Sequence, residues 1–303
     1  MCSGPISPPN MSTRRCETSP DGSVDLAVSA RCSMLKTRVI TALVITSIGL
    51  AAVFLMPPPA FAAFAIVILL ALGGWEGAQL GGLDRPLPRC LYAATLVVVG
   101  SLIYWLHDPG KIVPWLVPGA LAWIGFLCWL TRPGAGASAR SSRHTLKLII
   151  LGVILLTAWL AIIWLQSTSP WLVLMLLVVI ASADVGAYFT GRAVGGPKLA
   201  PSISPGKTRS GAAGGLLAAM LATAVVASFL PDSPFSPLQA GLLALLLAAI
   251  SIGGDLFISL LKRQRQLKDT SQLLPGHGGI LDRFDSIGAA APMFALAVAL
   301  LGQ

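Results

Sequence analysis

Residues 148–165 read LIILGVILLTAWLAIIWL, an uninterrupted apolar run without a charged side chain. A helix needs roughly 20 apolar residues to cross the hydrocarbon core of a bilayer. A backbone in lipid must also satisfy its hydrogen bonds within a helix or a closed barrel. Because the run is continuous rather than alternating, it predicts a transmembrane helix and excludes a barrel strand.

The rest of the chain repeats this pattern. Its 303 residues are 55% hydrophobic and 11% charged, and the mean hydropathy is +0.80, outside the usual range of a soluble domain. We therefore predict an all-α polytopic membrane protein with about nine transmembrane helices. The predicted spans are 39–56, 60–79, 90–106, 112–130, 148–165, 171–189, 211–230, 238–261 and 287–301.

The distribution of positive charge predicts the orientation of these spans. If the first span starts in the cytoplasm, every one of the 21 Lys and Arg residues except Lys111 lies on the cytoplasmic side. The positive-inside rule then places the amino terminus in the cytoplasm and the carboxyl terminus outside, in a cell inner membrane. The net charge of +9 is thus a topology signal, and we predict no nucleic-acid partner. The five cysteines form no CxxC pair and support no metal or disulfide site.

The chain divides into three predicted regions. Residues 1–33 are polar and rich in Ser and Pro, which predicts a disordered tail. Met34 opens a basic flank that runs into the first span, so translation could begin there; an intact mass that includes residues 1–33 would exclude this. Residues 34–183 are predicted to form amino-terminal transmembrane helices. Residues 184–303 form the predicted catalytic region, with cytoplasmic loops 190–210 and 262–286.

Two carboxylates fall inside apolar spans of the last region. Asp184 lies near the end of the sixth predicted span, and Asp255 lies in GGDLFISLLKR, residues 253–263. An ionisable group at membrane depth costs roughly 2.5 to 3.5 kcal/mol on insertion scales, so both residues are candidates for function. Each is expected to face a cation or to be protonated.

The segment SPGKT, residues 204–208, suggests a phosphate-binding loop, but the match fails. A P-loop needs a glycine five residues before Gly206, where this chain has Pro201, and no strand is expected before it. A lysine beside glycine-flanked amides could still bind phosphate in another geometry.

The connection 262–286 collects the polar groups expected of a phosphoryl-type transfer. Asp255, Asp282 and Asp285 belong to one predicted hairpin, and carboxylates combined with substrate phosphates are typical Mg²⁺ ligands. His277 has no partner His or Cys, which argues against zinc. Nearby cations could neutralise transferring phosphates and a leaving pyrophosphate; they are Lys262, Arg263, Lys268 and Arg283.

SLLKRQRQLKDTSQLLPGHGGILDRFD, residues 259–285, resembles the signature of the phosphatidate cytidylyltransferases, through its S-x-x-K-R, K-D, H-G-G and D-R-x-D elements. Residues 184–208 resemble that family's D-x-x-A-Y-x-x-G-R and S-P-x-K-T segments. The close match covers about the last third of the chain. The resemblance implies that CTP and phosphatidate give CDP-diacylglycerol and pyrophosphate. It also implies a dimer, a polar cavity facing the cytoplasm and a metal centre built on aspartates.

The residues and the resemblance together give the predicted site. The predicted catalytic residues are Asp255, Lys268, Asp282, Arg283 and Asp285. Predicted substrate- or phosphate-binding residues are Arg192, Lys198, Ser204, Lys207, Thr208, Lys262, Arg263, His277, Gly278 and Gly279. The resemblance carries metal binding to Asp255 and Asp282, with Asp285 and Asp184 in support. The expected cofactor is Mg²⁺, with a second cation such as K⁺ left open.

Two departures from the family pattern keep alternatives open. Ser210 and Ile258 stand where relatives commonly have acidic residues, so a catalytically inactive scaffold stays an alternative. A related enzyme on another lipid, such as an archaeol-type cytidylyltransferase or an isoprenoid alcohol kinase, is a second. An ion-coupled transporter using Asp184 and Asp255 is a third, although the polar residues are confined to the carboxyl-terminal half.

Overall fold

A computed structural model describes residues 23–130, 144–230, 233–274 and 278–301, with side chains from residue 39 onward except Pro109. The helices are α1 (Ser23–Leu55), α2 (Pro58–Ala65), α3 (Gly73–Gly81), α4 (Pro86–Leu106), α5 (Val113–Leu130), α6 (His144–Thr168), α7 (Pro170–Val194), α8 (Arg209–Phe229), α9 (Pro237–Gln264) and α10 (Leu281–Leu301). A π-helical segment, Ile66–Leu72, joins α2 to α3, and a 3-10 turn, Pro109–Lys111, precedes α5.

Eight helical segments of the described chain are long and apolar enough to cross a membrane, and Pro58–Gly81 counts as one of them. The first predicted span corresponds to a shorter apolar helix, Val39–Leu55, within α1. The prediction of an all-α polytopic membrane protein is therefore confirmed. Residues 1–22 of the predicted tail lie outside the described residues, whereas its last part, from Ser23, belongs to α1.

One small sheet was not expected. Strands β1 (Lys198–Ala200) and β2 (Ser204–Thr208) form an antiparallel hairpin in which Lys198 pairs with Thr208. The expectation that no strand precedes SPGKT was therefore wrong, because β1 lies just before it and the segment is itself β2. It is extended backbone rather than a P-loop turn, and it leads directly into α8. Ile203, at the turn of the hairpin, is 1% exposed and packs against Leu256 and Leu260 of α9, which fixes the hairpin on the bundle.

The core centres on α6, whose side chains Trp159, Leu160 and Leu165 are at most 1% exposed. Helices α9 and α10 cross closely beside it because small residues line their contact. A Cβ at Gly254 of α9 would lie 2.8 Å from the Cβ of Ala289 in α10. In lipid, such small residues let helix backbones approach and replace the hydrophobic driving force that water would supply.

Helices α7 and α8 pack most extensively of all the helix pairs. A Cβ at Gly215 would lie 2.6 Å from the carbonyl oxygen of Ala183, and one at Gly211 would lie 2.9 Å from that of Ala187. These glycines allow α8 to lie directly against α7. The close contact brings Asp184 of α7 toward the hairpin that precedes α8.

Loops distant in sequence meet at one end of the bundle, which we call the polar end. It comprises residues 82–85, the β1–β2 hairpin and the described part of the α9–α10 connection, residues 265–274 and 278–280. An ion pair joins Arg265 to Asp84, and Arg263 Nε donates to the Ile203 carbonyl at 3.4 Å. The His144 ring at the start of α6 hydrogen-bonds the Gly81 carbonyl at 3.1 Å. Polar groups therefore collect at this end.

The α7–α8 contact can be tested with Gly215→Leu. The larger side chain overlaps the α7 backbone, and overpacking of this kind costs about 1 to 3 kcal/mol or more. We expect a lower midpoint of thermal unfolding in detergent, measured by tryptophan fluorescence. Gly125→Leu is the matched control, because a Cβ at Gly125 meets nothing within 4 Å. Equal midpoints for the two variants would contradict this account of the packing.

Candidate active site

A cavity of about 500 Å³ opens at the polar end between α7, the hairpin and the start of α8. Three cationic side chains line it, namely Arg192, Lys198 and Lys207. Thr208 caps α8, with its Oγ1 accepting a hydrogen bond from the Gly211 amide at 3.0 Å. A helix N-terminus carries partial positive charge, so the helix and the cations together favour an anionic ligand.

Carboxylates lie in and beside this cavity. Asp255 forms an ion pair with Lys207, and both side chains are 29% exposed. Ser259 Oγ donates to Asp255 Oδ1 at 3.1 Å. Asp184, which lines the cavity, interacts electrostatically with Asp255 and Lys207, and so does Asp285 of α10. One carboxylate thus contacts the Lys207 ammonium and two more interact with it electrostatically, an arrangement that favours a cation.

The donor set fits a hard divalent ion bound together with substrate. Within the described residues, no group of three or more His, Cys, Asp or Glu side chains is arranged to hold a metal by itself. Mg²⁺, however, usually takes only one or two carboxylates and completes its shell with water and substrate phosphates. Asp255 and Asp285, which interact electrostatically, offer such a pair beside this cavity. Their predicted role as metal ligands stays a prediction.

Asp282 is placed differently from the other predicted metal ligands. Its Oδ1 accepts from Lys262 Nζ at 2.6 Å. Its Oδ2 accepts from the Thr270 amide at 2.8 Å, the Thr270 hydroxyl at 2.9 Å and the Gly279 amide at 3.0 Å. The side chain is 6% exposed. The geometry assigns this carboxylate to the organisation of the 265–280 connection, and metal binding would require displacement of Lys262 from Oδ1.

Glu76 of α3 was not predicted, yet its carboxylate contacts the same connection. The residue is completely buried. Oε1 accepts from Ser271 Oγ at 2.6 Å and from the Ile280 amide at 2.9 Å. Oε2 accepts from Thr270 Oγ1 at 2.9 Å and from the Leu281 amide at 2.8 Å. Because Ile280 immediately precedes α10 and Leu281 is its first residue, Glu76 caps that helix from another helix and places negative charge at its positive end.

Thr270 and two glycines bring these carboxylates together. Thr270 is 1% exposed, and its hydroxyl oxygen lies 2.9 Å from both Glu76 Oε2 and Asp282 Oδ2, so its one hydrogen is shared between the two carboxylates. Gly279 has no room for a side chain, because a Cβ there would overlap Thr270 Oγ1 and the Glu76 carboxylate. Gly278 has a φ of +79°, which disfavours other residues. Close packing around two buried carboxylates therefore accounts for the presence of glycine at positions 278 and 279 of the signature.

The remaining predicted residues are more dispersed. Lys262 contacts Asp282, and Arg263 contacts the Ile203 carbonyl, so each already has a protein partner. Lys268 is exposed on the connection, and Ser204 lies on β2 without lining the cavity. Arg283 lines a second, apolar cavity. His277 lies outside the described residues.

Both departures from the family pattern have a structural account. Ser210 Oγ donates to the Gly195 carbonyl and lies 3.2 Å from Thr208 Oγ1, so it joins the end of α7 to the start of α8. Ile258 is 4% exposed and packs in the main core. Neither side chain lines the cavity.

Residues 36–301, which make up most of the chain, match the model of the cytidylyltransferase family. The chain belongs to this family. A phosphatidate cytidylyltransferase of Pseudomonas aeruginosa is 41% identical over 268 residues, which cover 86% of this chain and 96% of the relative. Proteins of the same name are 35% identical in Haemophilus influenzae, with coverage of 86% and 97%, and 38% identical in Brucella suis, with coverage of 89% and 96%.

Membership of the cytidylyltransferase family agrees with the two groups of acids in the structure. One group, Glu76 and Asp282, has its oxygens occupied by hydrogen bonds from the chain. The other group, Asp184, Asp255 and Asp285, lies around Lys207 near the cationic cavity. The first group organises the segment that carries the signature of this cytidylyltransferase, and the second lies in and beside the cavity lined by cations.

Glu76→Gln tests the positioning role. The amide nitrogen would face a hydrogen-bond donor, and a buried group left unsatisfied costs about 1 to 3 kcal/mol. We expect faster hydrogen exchange of amides in residues 265–281, measured by mass spectrometry, and turnover lower by on the order of tenfold. Gln79→Ala in the same helix is the control, because Gln79 contacts Arg89 instead. Unchanged exchange in Glu76→Gln would refute the role.

Proposed function

We propose that this protein is an integral membrane phosphatidate cytidylyltransferase that converts CTP and phosphatidate to CDP-diacylglycerol and pyrophosphate. The observation that carries the proposal is the cavity at the polar end, where three cations and a group of carboxylates meet. The names of the similar bacterial proteins support the same reaction.

The nucleotide site is the cationic cavity. Its volume of about 500 Å³ lies in the usual range of small-molecule sites, roughly 300 to 1,000 Å³. Arg192, Lys198 and Lys207 bind the triphosphate, and the capped start of α8 adds its amides and its dipole. When phosphates arrive, Lys207 can exchange its Asp255 partner for a phosphate oxygen. That exchange frees Asp255 for a metal.

Asp255 and Asp285 would hold Mg²⁺, with Asp184 in support. The ion, when bound, neutralises charge on the triphosphate and orients the pyrophosphate for departure. Asp282 was predicted as a metal ligand. In this proposal it acts indirectly, because it organises the connection between α9 and α10. A second cation such as K⁺ stays a prediction.

The reaction itself needs little acid–base chemistry. A phosphate oxygen of phosphatidate bonds to the α-phosphorus of CTP, and the bond from that phosphorus to the bridging oxygen of pyrophosphate breaks. The attacking oxygen is already an anion, so no general base is required. The work of the protein is positioning and electrostatics, which the rigid helices and the clustered cations supply.

The orientation and assembly follow from the same argument. CTP is supplied by the cytoplasm, and the polar end carries Arg85, Lys198, Arg263 and Arg265, as the positive-inside rule favours for a cytoplasmic face. We therefore place the active site on the cytoplasmic side of the inner membrane, with the amino terminus inside. The homodimer implied by the family resemblance stays part of the proposal, to be tested by mass photometry in detergent.

The first experiment measures pyrophosphate release by purified protein in detergent. The wild type should release pyrophosphate only with CTP, phosphatidate and Mg²⁺ together. Asp255→Asn should lose at least about 100-fold in turnover and require more Mg²⁺, because a charged ligand is replaced by a neutral one. Asp108→Asn, on an exposed carboxylate paired with Lys111, is the matched control. If the wild type were active only with another lipid, that lipid would replace phosphatidate in the proposal.

Lys207→Met separates nucleotide binding from lipid binding. Loss of a charge-assisted contact costs about 1.5 to 3 kcal/mol, so the KM for CTP should rise by roughly 10- to 100-fold. The KM for phosphatidate should change less than threefold by the same assay. Lys111→Met controls for the loss of one positive charge. An unchanged KM for CTP would remove Lys207 from the nucleotide site.

A further inference from the structure

A second cavity, of about 320 Å³, lies between α1, the α2 and π-helical segment, α7 and α10. Its lining is apolar, with Leu50, Phe64, Ile68 and Leu176 among the contributing side chains. Among its described lining residues only Thr46 and Arg283 are polar. We call it the apolar cavity. It is distinct from the cationic cavity, with which it shares no lining residue.

Arg283 connects the apolar cavity to the chemistry. It follows Asp282 in the first turn of α10, and its guanidinium interacts electrostatically with Asp184, which lines the cationic cavity. The apolar cavity therefore begins beside the proposed reaction centre. A charged group at one end and apolar walls beyond it match an amphipathic ligand with an anionic head.

The depth of the apolar cavity matches one leaflet of a bilayer. Its lining on α1 runs from Ile45 to Val53, eight residues apart. At 1.5 Å per residue this separation is about 12 Å along the helix. The hydrocarbon core is about 30 Å thick, or about 15 Å for one leaflet, so the cavity extends through most of one leaflet. One acyl chain of a lipid occupies that depth.

We propose that the apolar cavity is the acyl-chain subsite of the lipid substrate, with the lipid phosphate held near Arg283. The inference rests on the proposed function, and it names where the diacylglycerol part of phosphatidate binds. Arg283, a predicted catalytic residue, is assigned to the lipid phosphate. The nucleotide then approaches from the cationic cavity and the lipid from the apolar cavity, with Asp184 between them.

Helix α1 forms the outer wall of the apolar cavity. Gln166 Nε2 of α6 donates to the carbonyls of Val53 and Met56 at 3.2 and 3.1 Å, which fixes the end of α1 that lies away from the polar end. Nearer the polar end, Ile40 and Leu43 of α1 are 61% and 63% exposed. Helix α1 is thus fixed at its far end, and its exposed side chains nearer the polar end face the surrounding lipid.

Gly49 gives a direct way to fill the apolar cavity. It lines the cavity, and a Cβ there would meet nothing within 4 Å. Gly49→Leu should therefore place its side chain in the cavity without displacing a neighbour, and Leu also favours helix more than Gly does. Gly125→Leu on α5 is the matched control, since a Cβ there is equally unobstructed and lies outside the cavity.

The assay compares two lipids. For Gly49→Leu we expect the KM for dioleoyl phosphatidate to rise on the order of tenfold, because a buried Leu side chain displaces a comparable apolar part of the lipid. The KM values for dihexanoyl phosphatidate and for CTP should stay within about twofold of the wild type, and Gly125→Leu should match the wild type with both lipids. Equal changes for the long and short lipids, or no change, would overturn the acyl-chain assignment.

A binding measurement makes the inference independent of turnover. Phosphatidate with a photoreactive group at the end of one chain is cross-linked to the wild type in nanodiscs, and the products are mapped by mass spectrometry. Labelling of α1, α2 and α7 residues that line the cavity, reduced by excess dioleoyl phosphatidate, is expected. Labelling confined to lipid-facing positions such as Leu102 and Trp105 would overturn it. Absence of wild-type turnover would instead count against the proposed function.

Discussion

The Glu76 carboxylate is the constraint on which the arrangement of the site depends. It is completely buried in a transmembrane segment, where an unpaired charge would be costly. Four donors from the connection between α9 and α10 satisfy it, two of them backbone amides at the start of α10. The amino-terminal half of the chain thus fixes the position of a signature that lies about two hundred residues later. Without this contact, α10 would begin with unpaired amides in the interior.

The acids of the site differ in how many hydrogen bonds their carboxylate oxygens accept from the chain. Asp282 and Glu76 accept hydrogen bonds on both oxygens from groups of the chain. Asp255 has a hydroxyl on one oxygen and the ammonium of Lys207 on the other, in a partly exposed position. A carboxylate whose lone pairs are saturated by rigid donors organises structure, whereas one that faces a mobile lysine can exchange it for another cation. Hydrogen-bond geometry therefore distinguishes an acid that organises structure from an acid that can bind another cation, which residue type alone does not.

Hydropathy and the signature made much of the protein predictable. Span positions follow from continuous apolar runs, since lipid permits few alternatives to a helix. The cations Arg192, Lys198 and Lys207 were predicted, and the structure places them in one cavity. Glu76 was missed, although the rule that singled out Asp255, an ionisable residue inside an apolar span, applies equally to GGWEGAQL at residues 73–80. Its partners could not be inferred, because contacts across 194 to 205 residues leave no local pattern. The hairpin was missed because β1 has only three residues and β2, SPGKT, contains Ser, Pro and Gly, which ordinarily predict loops.

The π-helical segment Ile66–Leu72 lies one turn before Glu76 in the same membrane span. The hydrogen bonds of a π-helix span one residue more than those of an α-helix, so a π-helical segment shifts the rotational phase of everything that follows. One residue corresponds to about 100° around a helix of 3.6 residues per turn. The phase of this segment therefore determines whether position 76 faces the interior or the surrounding lipid. An insertion or deletion in the second span therefore changes the direction in which the buried acid points, even where every apolar residue is kept. The number of residues in this span is for this reason constrained as strictly as their identity.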